Sequence, residues 1–287
     1  MVETVKHIVP SVDRLRHSLG RSVIYAILLM GAVWALFPFV WMVLSSLKGY
    51  AEASAAQTFL PTRWLFSNYV KAWNEVEYFP RYFGNTIFIA TTTVLGVLTT
   101  STLAAYAFAR MEFPGRETLF ILLLATMMIP GEVTLIPNFI LVSNLKWIDS
   151  YAALVIPWIA SAFSIFLLRQ FFRAIPQDLH DAAVIDGCGN FRFLATIVLP
   201  LSRPALITSA LFTFLSSWNA LMWPILVTNK PAMRPIQVGM AAFIGEAGTQ
   251  IQLLLAAVTL SVIPVILIYL VLQRWFIEGI ATSGIRG

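Results

Sequence analysis

Charge is almost absent from six stretches of this sequence, near residues 22–44, 85–108, 118–142, 151–172, 204–226 and 252–273. A helix needs about 20 apolar residues to cross a hydrocarbon layer roughly 30 Å thick, so each stretch is long enough to span a bilayer. Inside lipid every backbone N–H and C=O must be bonded within the protein, which restricts spanning structures to helices and closed barrels. A barrel would show segments of about ten residues alternating apolar and polar, and no such alternation occurs. The expected fold is therefore all-α, a polytopic membrane protein of about six transmembrane helices. Composition agrees: 59% of the 287 residues are hydrophobic and 11% charged, where a soluble domain carries about 25% charged residues.

The first stretch follows Arg14, Arg16 and Arg21, and Ala53-Ser54-Ala55 has the small residues of a cleavage site. Its apolar run exceeds the roughly 7–15 residues of a signal peptide, and the small residues lie well past its end. It is expected to stay as a membrane helix. Six spans place both termini on one side, and the side richer in Lys and Arg faces the cytoplasm. With the termini inside, twelve of the 19 basic residues are cytoplasmic, among them Arg110, Arg116, Arg169, Arg173, Arg192 and Arg203, and four of the remaining seven fall in one long loop after the first span. Both termini are thus expected in the cytoplasm. The organisation that follows is a cytoplasmic segment 1–21, a transmembrane domain 22–274 carrying a cytoplasmic loop at 173–203, and a cytoplasmic tail 275–287. The formal charge of +5 suits retention signals and anionic lipid headgroups and is not read as nucleic-acid binding.

Catalytic chemistry has little to stand on. Cys188 is the one cysteine, and His7, His17 and His180 lack a second ligand at metal spacing; no metal or catalytic group is expected. The phosphate-binding pattern Gly-x-x-x-x-Gly-Lys-[Ser/Thr] is missing, so this chain is expected to bind no cofactor, and any ATP with its Mg would sit on partner subunits. Ionisable residues within spans mark ion-coupled carriers, and Glu132 stands nearly alone. Pro130 and Pro137 flank it and interrupt the helical ladder, and broken helices can line a substrate cavity, although Glu132 placed at a helix end would simply be hydrated. Asn85, Asn138, Trp218 and Asn219 are further polar or amphipathic positions in or near spans. They suit a solute path, helix–helix hydrogen bonds, or an interfacial aromatic belt.

Between the fourth and fifth spans runs a stretch of about thirty residues, Arg173 to Arg203, that reads as two short helices. Pro176 opens the first, Asp178 and Asp181 lie toward the positive helix end, and Gly187 can stop it with positive φ. Leu179, Ala182, Ala183 and Asp186 recur at helical spacing on one face. Asn190 can cap the second helix, which runs to Leu199 before Pro200 and Pro204 turn the chain into the next span. Such a hairpin is either an interaction surface or an amphipathic linker lying on the membrane.

At these residues the sequence resembles the permease signature of binding-protein-dependent ATP-binding-cassette importers, Glu-Ala-Ala-x3-Gly-x9-Ile-x-Leu-Pro. Here it reads Asp181-Ala182-Ala183, Gly187, then Ile197-Val198-Leu199-Pro200, with every spacing kept and Asp in place of Glu. From about residue 22 onward the chain looks like the maltose-type carbohydrate permeases: Ala105-Tyr106-Ala107-Phe108-Ala109-Arg110, Phe113-Pro114-Gly115-Arg116, Asp149-Ser150-Tyr151, Trp218-Asn219 and the ending from Gln273 to Gly287 all belong to the likeness. The resemblance implies a subunit of an ATP-driven importer of a sugar or related solute. Its implied partners are a second homologous permease, two ATPase subunits that carry ATP and Mg, an extracytoplasmic solute-binding protein and membrane lipid. It further implies that Asp181, Ala182, Ala183, Gly187, Ile197, Leu199 and Pro200 form the loop that docks on the ATPases, and that the tail packs against them. The alternative from another class is an ion-coupled secondary carrier, against which the scarcity of intramembrane charge argues.

Overall fold

A computed structural model describes residues 9–55, 58–74, 78–242 and 250–283. In chain order the helices are α1 (Val9–Ser46), α2 (Tyr50–Ala55), α3 (Ser67–Asn74), α4 (Phe79–Arg110), α5 (Arg116–Thr126), α6 (Gly131–Asn144), α7 (Tyr151–Trp158), α8 (Ala162–Ala174), α9 (Gln177–Ile185), α10 (Asn190–Leu201), α11 (Arg203–Trp218), α12 (Met222–Val227), α13 (Ile236–Ala242) and α14 (Ile251–Ser283). Parts of α1, α4 and α14 are long and apolar enough to cross a membrane, and the bent pairs α5–α6, α7–α8 and α10–α11 raise the number to as many as six when each pair counts as one span, the last of them starting at Asn190, inside the expected loop 173–203.

Three of the expected spans are not straight. The α5–α6 pair bends by 97° around Met127–Pro130: Pro130 has no N–H to give the preceding turn and drives the residue before it out of helical geometry. The α7–α8 pair bends by 43°. There the Ile159 carbonyl, released from the helical ladder, accepts a hydrogen bond from Thr100 Oγ1 of α4 at 2.6 Å, and Ser161 Oγ caps the new helix by accepting from the Ser164 N–H. Gly96 makes this approach possible, because a Cβ at that position would lie 2.7 Å from Ile159 Cγ2. The expected fifth span 204–226 is interrupted at residues 219–221, between α11 and α12.

The chain divides into two compact units, residues 1–70 with 250–259, and residues 71–249 with 260–287. In the first, α1 leaves its apolar side chains uncovered, Trp34 being 84% exposed, as suits a helix solvated by lipid. The turn that follows is tightly built. Asn68 Nδ2 donates to the Ser46 and Lys48 carbonyls, Tyr69 hydroxyl pairs with Ser46 Oγ, and the fully buried Lys48 donates to the Thr58 carbonyl while lying over the Trp41 ring. Glu52 accepts from Thr58 Oγ1, the Thr62 N–H and Thr62 Oγ1, and the Thr58 bond foremost holds its carboxyl below the ordinary range.

The second unit is organised on α4. Phe79, Tyr82, Thr86, Ile89, Ala90, Thr93, Val97, Ser101 and Ala105 are buried at three- and four-residue spacing along one stripe, the pattern that lets one helix pack on others. Small residues in the stripe allow close backbone contact, the usual means by which helices associate in lipid. Toward one end of α4 the core gathers Ala105, Tyr106, Leu168, Phe172, Phe193, Val198 and Ala205; toward the other it gathers Ile89, Val142, Ala153, Leu154, Trp223 and Val227. Asp149, in the left-handed region at φ 61°, accepts from the N–H groups of Asn229 and Lys230, its neighbour Ser150 caps α7, and Tyr151 hydroxyl donates to Asn85 Oδ1 at 2.7 Å. The Asp-Ser-Tyr run is therefore a knot joining α4, α7 and the turn after α12.

Helix α1 begins at Val9, ahead of its apolar part Gly20–Ser46, and the final helix continues through Gly279 to Ser283, beyond its apolar part Ile251–Gln273; one glycine costs a helix only about 1 kcal/mol relative to alanine. His7 and the last residues of the tail, including Ile285, lie outside the described residues.

Candidate functional site

The 173–203 stretch folds into the anticipated pair of helices, α9 and α10. Pro176 precedes the first helical residue of α9, and Gly187 ends the helix at φ +75°. The Gly187 N–H donates to the Val184 carbonyl and the Cys188 N–H to the Ala183 carbonyl, the paired bonds of a Schellman stop. A Cβ on Gly187 would meet nothing within 4 Å, so the demand for glycine there comes from backbone conformation and not from space.

The motif residues divide by direction. Ala183 is buried in the core shared with Leu168, Phe172 and Phe193, whereas Asp181 and Ala182 face outward with Leu179 and the 86% exposed Ile185. Asp181 Oδ1 accepts from Gln177 Nε2 at 3.1 Å and lies 3.6 Å from His180 Nδ1; the His180 ring meets Phe193 edge-on. Ile197 and Leu199 pack partly against the same core, and Pro200 is exposed near the corner where α10 turns through 81° into α11. Ahead of Pro200 the helix widens to a π turn at Leu194–Val198, in which the Leu199 N–H donates to the Leu194 carbonyl. Asn190 is not the cap expected of it. Gly189 occupies that position, and the Asn190 side chain accepts instead from Tyr106 hydroxyl of α4 at 3.2 Å.

Sequence reasoning gave the charged residues behind this loop no structural role, reading Arg169 as a topology signal and Arg110 as a topology signal and part of the family likeness. Arg169, 3% exposed, holds Glu117 with both carboxylate oxygens at 3.0 Å from Nη2, donates to the Phe108 carbonyl and lies 3.8 Å from the Phe120 ring centroid. Arg110 donates to the Phe172 and Ile175 carbonyls at the end of α8 and, at 3.0 Å, to Gln177 Oε1 at the start of α9. Arg110 and Glu117 belong to or adjoin the sequence runs that carry the resemblance, but their destinations depend on residues more than fifty positions away.

A cavity of about 870 Å³ lies between α4, the α7–α8 break and the α11–α12 break. Its walls present hydroxyl and amide groups, Thr93, Ser161, Thr213, Ser216, Ser217 and Asn219, alongside the rings of Trp158, Phe163, Phe212 and Trp223, and none of the described residues lining it is ionisable. Thr86, Thr99 and Thr100 of α4 donate their hydroxyls to carbonyls, while two buried hydroxyls of the same helix, Thr93 Oγ1 and Ser101 Oγ, have no partner among the described residues; of these two, Thr93 lines the cavity, and an unpaired buried hydroxyl costs about 1–3 kcal/mol unless a ligand or water supplies the bond.

Of the five solute-path candidates, Asn219 lines this cavity and the others are placed elsewhere. Asn85 is buried with its amide occupied by the Ala232 and Arg234 carbonyls and Tyr151 hydroxyl. Trp218 is 2% exposed, edge-on to Phe83 and stacked on Phe214. Glu132 sits exposed in the first turn of α6 beyond the 97° bend, and Asn138 is half-buried on the same helix. The cavity's serines and threonines were invisible as a set because they come from three separate spans. No group of three metal-ligating side chains occurs among the described residues.

Broken spans around a largely apolar cavity that carries hydroxyl and amide groups in its wall, with a folded loop projecting from the end of the bundle that α4 shares with α8 and α11, are the features of a multi-pass solute permease. The chain belongs to the family described as the binding-protein-dependent transport system inner membrane component, which matches residues 93–282. It is 36% identical over 267 residues to the sn-glycerol-3-phosphate transport system permease protein UgpE of Yersinia pestis, covering 90% of this chain and 95% of the relative. It is 32% identical over 269 residues to the diacetylchitobiose uptake system permease protein NgcG of Streptomyces coelicolor, covering 92% and 89%. In structure it is similar to a chain of a bacterial ABC transporter involved in the import of the acidic polysaccharide alginate, with a TM-score of 0.80, 26% identity, and 91% and 98% of the two chains covered. These relationships support an importer permease over the ion-coupled carrier, and they place the chain outside catalytic enzyme families.

Proposed function

We propose that this chain is one of two homologous permease subunits of an ATP-driven importer, that it takes a neutral polyhydroxylated solute through the α4–α8–α11 cavity, and that its α9 helix docks on one of two cytoplasmic ATPase subunits. ATP and Mg belong to those subunits, and a solute-binding protein delivers the cargo from outside. Both termini and the α9–α10 loop lie on the cytoplasmic side, as the excess of basic residues there favours. The observation that carries the docking role is the outward set of Leu179, Ala182 and Ile185 on a helix whose inner face is anchored through Ala183. An exposed apolar ridge of that kind on a folded loop suits a protein groove.

The neutral solute follows from the lining. An ion brought into a low-dielectric cavity without a counter-charge carries a desolvation penalty of several kcal/mol, while hydroxyl-rich solutes are matched by Ser, Thr and Asn bonds and by aromatic faces. The test is uptake by the complete reconstituted complex of labelled diacetylchitobiose, arabinooligosaccharide and sn-glycerol 3-phosphate, each with its binding protein, using the natural chain and Thr93→Val. Uptake of a neutral sugar that Thr93→Val weakens about two- to tenfold, the worth of one hydrogen bond, supports the reading. Preferred uptake of the phosphate, indifferent to Thr93, contradicts the solute assignment.

A further inference from the structure

The run Ala105-Tyr106-Ala107-Phe108-Ala109-Arg110 has no role in docking or in the cavity, yet two of its side chains grip both halves of the loop. Tyr106 hydroxyl donates to Asn190 Oδ1 at the first residue of α10. One turn further on, Arg110 donates to the Phe172 carbonyl from Nε and Nη2, to the Ile175 carbonyl from Nη2, and to Gln177 Oε1 from Nη1. The carbonyls at the end of a helix lack intrahelical partners and carry the negative end of its dipole, so a planar guanidinium with five donors can close α8 and hold the next helix at once. Gln177 in turn donates to Asp181 of the signature, making a continuous line from Asp181 through Gln177 and Arg110 to α8 and α4.

The same α4 carries Thr86, Thr93 and Val97 along the cavity wall. It is one unbroken helix of 32 residues, whereas α8 and α11, the other walls, are each separated from the loop by a non-helical joint, at Ile175–Pro176 and at Ser202. Thr93 and Tyr106 lie 13 residues apart, a rigid distance of roughly 20 Å at helical rise. We propose that Arg110 is a positioning residue for coupling: it locks the α8–α9 joint to α4, so that displacement of the docked α9 reaches the cavity through α4 as a stiff rod. This rests on the docking role of α9 proposed above. It also gives Asp181 a function inside the chain, in aligning Gln177 toward Arg110, for which the shorter side chain is sufficient.

The test needs no identified solute. In the reconstituted complex carrying Cys188→Ser and Thr93→Cys, the rate of labelling of the new cysteine by N-ethylmaleimide is compared between the nucleotide-free state and the state trapped with ATP and vanadate. With Arg110 present the rate should change with nucleotide. In Arg110→Gln the nucleotide-dependent change should shrink by about tenfold, the scale of one hydrogen bond to a charged group, while the ATPases still copurify and hydrolyse ATP; Arg110→Lys, which keeps the charge, should recover part of it. Gln177→Leu, which spares the α8 cap and cuts the Arg110 link to α9 together with the Gln177–Asp181 bond, should also reduce the change. An unaltered change in Arg110→Gln and Gln177→Leu overturns the proposal, and so does loss of ATPase copurification in Arg110→Gln, which would make the joint merely structural. If the rate is nucleotide-independent with Arg110 intact, it is the underlying docking reading that fails.

Discussion

Replacing Gly187 with valine tests the loop at its most constrained backbone position. Gly187 sits at φ +75° with no atom within 4 Å of a would-be Cβ, so a Cβ has room there and the effect of substitution is argued from backbone conformation. Holding an L-residue in the left-handed region costs about 1–2 kcal/mol, and a β-branched residue is a stronger outlier there. That shifts the balance between the observed turn and alternative loop conformers by a factor of roughly 5–30, enough to unmake the Gly187–Val184 and Cys188–Ala183 bonds and tilt α9 off the surface where Ala183 anchors it. Asparagine tolerates left-handed geometry, so Gly187→Asn should retain most function. The assay is ATP hydrolysis by the reconstituted complex with and without solute-loaded binding protein, together with copurification of the ATPases. The expected order of stimulation is Gly, then Asn, then Ala, then Val, with all four chains inserted in the membrane. Full stimulation in Gly187→Val would refute the view that this turn sets the position of the docking helix.

Thr100→Val should lower the thermal midpoint of the detergent-solubilised chain, because the Ile159 carbonyl at the break between α7 and α8 loses its donor, at a cost of about 1–3 kcal/mol; an unchanged midpoint would mean the break is stabilised otherwise. Glu52 supplies a pH dependence of known sign. Its carboxyl is held below the ordinary value of 4.5 chiefly by Thr58, so the order it gives the segment after α1 is complete above that value and is lost as pH falls through the depressed one. Limited proteolysis of that segment should accelerate on acidification in the natural chain, and Glu52→Gln should flatten the profile.

The helical membrane class, most of the apolar spans and the two-helix loop were legible because they rest on local signals: uninterrupted apolar length, and Pro176 and Gly187 at the ends of α9. The bends were not, since a run such as 151–172 has the same hydropathy straight or broken. Pro130 announced its break, as Pro200 and Pro204 did the corner between α10 and α11; the one at Ile159 depends on Gly96 and Thr100 of another span. Asn85 read as a path residue because an amide within an apolar run suits either role, and its partners Ala232 and Arg234 lie about 150 positions away. For the same reason the cavity, assembled from hydroxyls on α4, α8 and α11, had no linear signature. Asn190 illustrates a local rule losing to a tertiary one: asparagine favours capping, but Gly189 fills the cap position and Tyr106 takes the side chain.

The most direct measurement is solute uptake into proteoliposomes containing this chain, first alone and then with its second permease, the two ATPases and the binding protein. The account predicts no uptake by the chain alone under any ion gradient, and uptake by the full complex that requires ATP and disappears in Gly187→Val. Accumulation by the isolated chain down a proton or sodium gradient would contradict it.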